Sequence, residues 1–329
     1  MKGNLQFIVW VTCMLAQASV VIGCSNEEYL NNNKKYIIQA FDSIEFYSRH
    51  RLTYNLDSLE AQVLKQISDS TSHEEVIELL EYAIKAIDKH NYIISSEKYQ
   101  QMETGTNPGV FINPYPFQSK MLEEKYAFVA LSGFMGVDSI ASEQYTDSLQ
   151  RSILWLYNQQ PKGWIIDLRH NSGGWIYPML AGLGPLLGPG IKAFEMSGDR
   201  VVATYYYYKD TTDYVSLSDS VWFFEKQLPI AVMIGEGTGS AGELLTLSFR
   251  GNPKTALIGS PTYGISTGLH GFFMPDSNWV CVTNCIMTDR KKNGDGGQIH
   301  PDIIEHDPLK IFEKSYQWID SNSMPGIDK

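Results

Sequence analysis

The chain has 329 residues, 43% hydrophobic and 19% charged, a composition that supports an ordinary globular protein of one or two domains with a sizeable core. A formal charge of −11 and a pI near 5.1, with no clustered Lys and Arg, exclude a nucleic-acid partner, because phosphate binding needs concentrated positive charge.

The N-terminus reads as an export signal: Lys2, a mostly apolar run from Leu5 to Ile22, then Val21-Ile22-Gly23-Cys24. That ending resembles a bacterial lipobox, which implies removal of residues 1–23 as a signal peptide, lipidation of Cys24 and a body tethered to a membrane at the cell envelope. An uncleaved anchor helix is the alternative, and both readings place the body outside the cytoplasm.

Residues 24–94 are predicted to form a small helical bundle. Its clearest element carries Val76, Leu79, Leu80, Ala83 and Ile87 on one stripe, opened by a capping box from Ser72 to Glu75. A Pro- and Gly-bearing segment, 95–124, acts as a linker or cap.

From residue 125 to 329 strands and helices alternate. Strands are expected at Tyr126 to Leu131, Trp164 to Leu168, Val201 to Tyr208 and Pro229 to Ile234, and helices at Ser139 to Gln159, Trp175 to Leu187 and Ser240 to Arg250. Two further strands, Leu269 to Met274 and Trp279 to Thr288, complete what the alternation predicts to be an α/β core with helices packed on a sheet. Cys281 and Cys285 share that last strand, about 13 Å apart by strand geometry, too far for a disulfide. They read as buried free thiols, with a metal or redox pair as the alternative. No zinc-type spacing occurs, and neither a metal nor a cofactor is expected.

Two glycine-rich turns end strands and open helices: Arg169-His170-Asn171-Ser172-Gly173-Gly174 and Gly235-Glu236-Gly237-Thr238-Gly239-Ser240-Ala241-Gly242-Glu243. Neither has nucleotide-loop spacing. Ser240 is open to two readings, a routine helix N-cap or a nucleophile beside converging N–H groups at the positive end of a helix.

These runs, IIDLRHNSGG at 165–174 and GTGSAGE at 237–243, together with Gly259-Ser260-Pro261-Thr262-Tyr263-Gly264 and Ile299-His300-Pro301-Asp302, resemble in order and spacing the tail-specific or C-terminal processing serine peptidases. That group includes the tricorn core and the nisin-resistance protein, and residues 163–190 are most similar to the latter branch. The resemblance implies a ClpP/crotonase-like α/β core, Ser240 as nucleophile, and the N–H groups of Gly174 and Ala241 as oxyanion hole. Trp175, Ile176, Thr262 and Gly264 are expected to contact the substrate.

A serine needs a base. Ile265 stands where the best-known relatives carry lysine, whereas Ile87-Asp88-Lys89-His90-Asn91-Tyr92 resembles the upstream histidine motif of the nisin-resistance and tricorn branches, which makes His90 the base. Asp88, Glu243 and Asp289 are all candidates for a third, orienting group. The stretch between Asn91 and Trp164 is too short for an inserted PDZ domain beside its own elements. The expectation is therefore a lipid-anchored serine endopeptidase acting on peptides or proteins through a Ser-His dyad. A non-catalytic binding relative of the same fold is the alternative, and an acyl-CoA enzyme is disfavoured by export.

Overall fold

The computed structural model describes residues 26–103, 117–135, 139–207, 222–224 and 227–323. The segment expected to be a signal peptide, with Cys24, lies outside these residues, as does Tyr208. In chain order the elements are α1 (Asn26–Tyr47), α2 (Leu56–Leu64), α3 (His73–Ile87), β1 (Tyr92–Ile94), α4 (Ser96–Glu103), β2 (Phe117–Leu122), β3 (Tyr126–Leu131), α5 (Ser139–Asn158), β4 (Gly163–Asp167), α6 (Ile176–Gly182) and α7 (Gly184–Leu187). They continue as β5 (Gly190–Ser197), β6 (Arg200–Tyr207), β7 (Ile230–Ile234), α8 (Ala241–Phe249), β8 (Thr255–Gly259), β9 (Thr267–Phe273), β10 (Trp279–Asp289), β11 (Ile303–Ile304) and α9 (Lys310–Asn322).

Among the described residues the strands form two sheets. One runs β11-β8-β7-β4-β3-β2 and is parallel except for the edge strand β2. Its central strands β4 and β7 are buried along their whole length, as their unbroken apolar runs require of strands covered on both faces. On one face Val129, Ile166, Val232 and Leu257 pack with Leu149 and Ile153 of α5, Met179 of α6 and Leu244 of α8. On the other, Ile165, Met233 and Ile258 pack against Ile311 and Ile319 of α9.

The second sheet is antiparallel. Strand β10 pairs with β1, β5 and β9, and β5 pairs with β6. The two late strands therefore do not extend the α/β sheet, as the sequence pattern led us to expect. They form a separate layer whose residues Val280, Val282 and Met274 seat the α1–α3 bundle, against Ile37, Ile44, Leu80 and Ile84. Cys281 and Cys285 on β10 are free and buried.

The expected helix from Trp175 to Leu187 is two helices, broken at Leu183 between Gly182 and the Gly184-Pro185 start of α7. The capping box before α3 is present, with Ser72 N–H donating to Glu75 Oε2 at 2.7 Å and Glu75 N–H donating to Ser72 Oγ at 3.2 Å.

The parallel sheet sets the position of the site. Strands β4, β7 and β8 are direct neighbours, so the turns leaving their carboxyl ends, at 168–175, 235–240 and 260–266, lie side by side. Helix α6, which follows the first turn, packs tightly on α5. A Cβ built on Gly182 would lie 2.5 Å from Leu149 Cδ2. Gly182→Ala, ordinarily favourable in a helix, is therefore expected to destabilise the protein by about 1–3 kcal/mol, read as a lower urea midpoint.

Candidate active site

Thr238 anchors the turn after β7. Its hydroxyl donates to Leu168 O at 2.8 Å, at the end of β4, and accepts from Gly235 N–H at 3.1 Å. Gly239 N–H donates to Asn171 O at 2.9 Å. The two turns touch so closely that a Cβ on Gly237 would lie 2.4 Å from Arg169 O, and one on Gly242 2.3 Å from Asn171 O. The small residues of GTGSAGE are thus the ones this approach allows.

Ser240 occupies the N-cap position of α8 with φ +49° and ψ −119°. A routine N-cap has extended backbone, like Ser72 at φ −67° and ψ 160°. A positive φ at a non-glycine residue costs about 1–3 kcal/mol and persists only where surrounding bonds fix it. Here Glu243 supplies the restraint.

Glu243 is fully buried, yet both of its oxygens are filled. Oε1 accepts from Thr262 Oγ1 at 2.5 Å and from Gly264 N–H at 2.9 Å. Oε2 accepts from Ile265 N–H at 2.9 Å and from Ser240 N–H at 3.0 Å. Burial raises its pKa above the ordinary carboxylate value, while the four donated bonds pull it down. All four partners are donors, which matches an anionic carboxylate at the start of a helix. The Ile299-His300-Pro301-Asp302 segment braces the same turn: Ile299 N–H donates to Thr262 Oγ1 at 2.8 Å, and Asp302 Oδ2 accepts Leu257 N–H at 2.8 Å.

Gly173 and Gly174 adopt φ +113° and +106°, where an L side chain would be strained. A Cβ on Gly173 would lie 2.8 Å from Ser240 Cβ and 3.1 Å from Ala241 N, so the double-glycine turn lies against the serine. Gly173 N–H donates to Asn171 Oδ1 at 3.1 Å and Trp175 N–H to Phe134 O at 2.6 Å, with Gly174 N–H between these two committed groups. Ala241 N–H, first in α8, has no intrahelical acceptor by position.

His90 follows α3 in a loop shaped by Asp88. Asp88 Oδ1 accepts His90 N–H at 3.0 Å, and Oδ2 meets His50 Nε2 at 2.9 Å and accepts the Thr283 hydroxyl at 3.2 Å. Asn91 ties the loop to α3 and β10, donating to Ile84 O and accepting Thr283 N–H, both at 2.8 Å. Lys89 Nζ donates to Tyr263 O at 2.7 Å, and His90 Nδ1 lies 2.7 Å from Thr267 Oγ1. The segment 262–267 therefore touches the histidine loop on one side. On the other it meets the serine turn through Glu243 and through Ile265, whose Cδ1 would be 3.6 Å from a Cβ on Gly239.

His90 is 7% exposed, and its pKa falls to about 4, chiefly by burial, with the neighbouring Lys89 charge adding to the fall and Asp88 opposing it. His90 is thus neutral at ordinary pH.

The residues expected to contact substrate divide. Trp175 is 40% exposed and lies directly beyond Gly174. Ile176 is buried in the main core, Thr262 is buried with its hydroxyl bonded to Glu243, and the Gly264 N–H is committed to Glu243. The last three thus make packing and bracing contacts within the chain. His50 is half-buried against Asp88. His50, Thr267 and Asn171 act through long-range or turn contacts that no local pattern announces. Among the described residues no cluster of His, Cys, Asp and Glu could hold a metal ion.

Helix capping does not call for a serine at φ +49°, and the fold that imposes it is shared with peptidases of the C-terminal processing type. The chain belongs to Peptidase family S41, whose model matches residues 125–305. It is similar to the nisin-resistance protein of Lactococcus lactis subsp. lactis, with 28% identity over 244 residues and 70% of each chain covered. It is also similar to carboxyl-terminal-processing peptidase 2, chloroplastic, of Arabidopsis thaliana, with 24% identity over 198 residues, 58% of this chain and 35% of that one. Two solved structures share the fold. A lipoprotein from Streptococcus agalactiae gives a TM-score of 0.71 at 21% identity, covering 93% of this chain and all of that one. The photosystem II D1 C-terminal processing protease gives 0.61 at 11%, covering 83% and 93%. Family and relatives together support a peptidase role.

Two outcomes follow from the site. In Glu243→Gln either orientation of the amide turns its NH2 toward two donors, so a loss of at least ~2 kcal/mol is expected in urea unfolding. His90, with its folded pKa below the ordinary 6.5, contributes stability that is present above pH 6.5 and lost as pH falls through about 4. Wild type should lose roughly 3 kcal/mol relative to His90→Gln across that window, measured by denaturation at stepped pH.

Proposed function

We propose that the chain is a serine endopeptidase of the C-terminal processing type, exported and held at the bacterial cell envelope by lipid on Cys24. The backbone of Ser240, at φ +49° beside the double-glycine turn, carries this reading. Strain of this kind at a serine, fixed by a buried carboxylate, belongs to a nucleophile turn rather than to a cap.

In the reaction His90 Nε2 takes the proton from Ser240 Oγ as the oxygen attacks a peptide carbonyl. The Gly174 and Ala241 N–H groups stabilise the resulting oxyanion. Collapse breaks the C–N bond, the imidazolium returns its proton to the leaving amine, and an acyl-enzyme remains. Water, deprotonated by His90, then releases the acid and regenerates Ser240. The exposed Trp175 ring offers an apolar contact for the peptide next to the oxyanion glycine.

A fluorophosphonate probe should label wild type and fail on Ser240→Ala, while His90→Ala slows labelling by about 10²- to 10⁴-fold. With a base of pKa about 4, the acid limb of the labelling rate should fall near pH 4 rather than near 6.5. A wild type that takes no label would favour a binding protein on the same fold.

A further inference from the structure

A basic imidazole must present a free lone pair to the nucleophile, so its other nitrogen needs a partner that fixes both tautomer and ring orientation. A carboxylate is the usual choice. The sequence offers three, and the bonds of each go elsewhere than to the His90 ring. Asp88 Oδ1 takes the backbone N–H of His90 itself, and Oδ2 meets His50 and Thr283. Both oxygens of Glu243 are filled by Thr262, Gly264, Ile265 and Ser240. Asp289 accepts from the Lys291 and Asn293 backbones and from Asn293 Nδ2, closing its own turn.

The atom that does meet the ring is a hydroxyl. Thr267 Oγ1 lies 2.7 Å from His90 Nδ1, and both residues are buried, at 2% and 7% exposure. Thr267 opens β9, and its strand partner Ile286 on β10 holds its backbone in register. The hydroxyl is therefore positioned by the antiparallel sheet, independently of the loop that carries His90.

Resting on the Ser240–His90 reading, we infer that Thr267 is the positioning residue of the site: its Oγ1 accepts the Nδ1–H of His90, fixing the tautomer that leaves Nε2 free for the Ser240 proton. No covalent change occurs at Thr267. Before transfer the imidazole carries its proton on Nδ1. After transfer Nδ1–H still points at the hydroxyl while Nε2 holds the proton from Ser240. A neutral acceptor stabilises the imidazolium less than a carboxylate would, which agrees with the low basicity of His90. The charged groups acting on the ring are Asp88 and Lys89, from its own loop.

The opposite arrangement, with Thr267 donating to Nδ1, would put the ring proton on Nε2 and remove the acceptor that Ser240 requires. Nitrogen-15 NMR of histidine-labelled wild type at neutral pH separates the two, because protonated and unprotonated ring nitrogens resonate far apart. Fluorophosphonate labelling rates against pH for Thr267→Val and Thr267→Ser complete the test.

The expected result is an Nδ1–H tautomer for His90, and in Thr267→Val about a tenfold slower labelling, one hydrogen bond being lost, with a displaced acid limb. Thr267→Ser should stay within a few-fold of wild type on the same limb. An Nε2–H tautomer overturns the inference, as does a Thr267→Val protein that labels at the wild-type rate with an unmoved limb. If Thr267→Val does not fold, the tautomer in wild type decides alone. Unchanged labelling of His90→Ala would instead defeat the Ser240–His90 reading, and the inference with it.

Discussion

A carboxylate with no solvent contact is one of the costliest groups a fold can hold, and it is retained only where hydrogen bonds replace the water it has lost. Glu243 has four, drawn from Ser240 at the start of its own helix and from Thr262, Gly264 and Ile265 in the turn after the neighbouring strand. Three of the bonds hold backbone N–H groups that have no regular partner and the fourth holds the Thr262 hydroxyl, so the carboxylate substitutes for secondary structure where β7, β8 and α8 end or begin. The positive φ of Ser240 follows from that arrangement. The residue is bound on its N–H by Glu243, on its carbonyl by the first turn of α8, and on its side by Gly173.

The same turn passes the constraint outward. Tyr263 O receives Lys89 and Thr267 Oγ1 meets His90, so the loop after α3 is registered against the segment that Glu243 holds. From the far side Asp88, His50, Asn91 and Thr283 fasten that loop to the bundle and to β10. The helical bundle thus places a buried histidine against the segment that Glu243 holds, using the antiparallel sheet as the surface on which it docks.

Much of this was legible in the sequence, for reasons that can be named. The continuous apolar runs of β4 and β7, the capped amphipathic α3 and the two glycine-rich turns are local signals, and local signals survive without coordinates. What was not legible depended on partners distant in the chain. The strands β9 and β10 look alike in either sheet, since alternation reports a strand but not its neighbours. Strand β5 is concealed by Lys192, a fully buried lysine whose ammonium is satisfied by Leu187 O and Pro189 O, a pattern that reads as solvent-facing. The break at Leu183 is written in Gly182 and Gly184-Pro185 but masked by strongly apolar flanking residues. At the site, Ser240 was legible, with a helix cap as its rival. Its backbone at φ +49°, unlike that of the cap Ser72, was not legible, because a sequence carries no angles. The bracing roles of Thr262 and Gly264 could not be read because they are defined by an atom, Glu243 Oε1, that lies about twenty positions away.

The position of Ile265 shows how the parts constrain one another. Its N–H is spent on Glu243 and its side chain lies beside Gly239, so this residue contributes to holding the serine turn while offering no titratable group. The loop after α3 meets the same segment from the bundle side, through Lys89 on Tyr263 O and His90 on Thr267 Oγ1. This divides the site physically. The strained serine and the double-glycine turn are held by bonds within the α/β core, whereas the histidine depends on the bundle's docking on β9 and β10 through Met274, Val280 and Val282 and through the Asp88 network. The geometry of the serine turn is therefore a property of the core, and the position of His90 is a property of the interface between the core and the bundle.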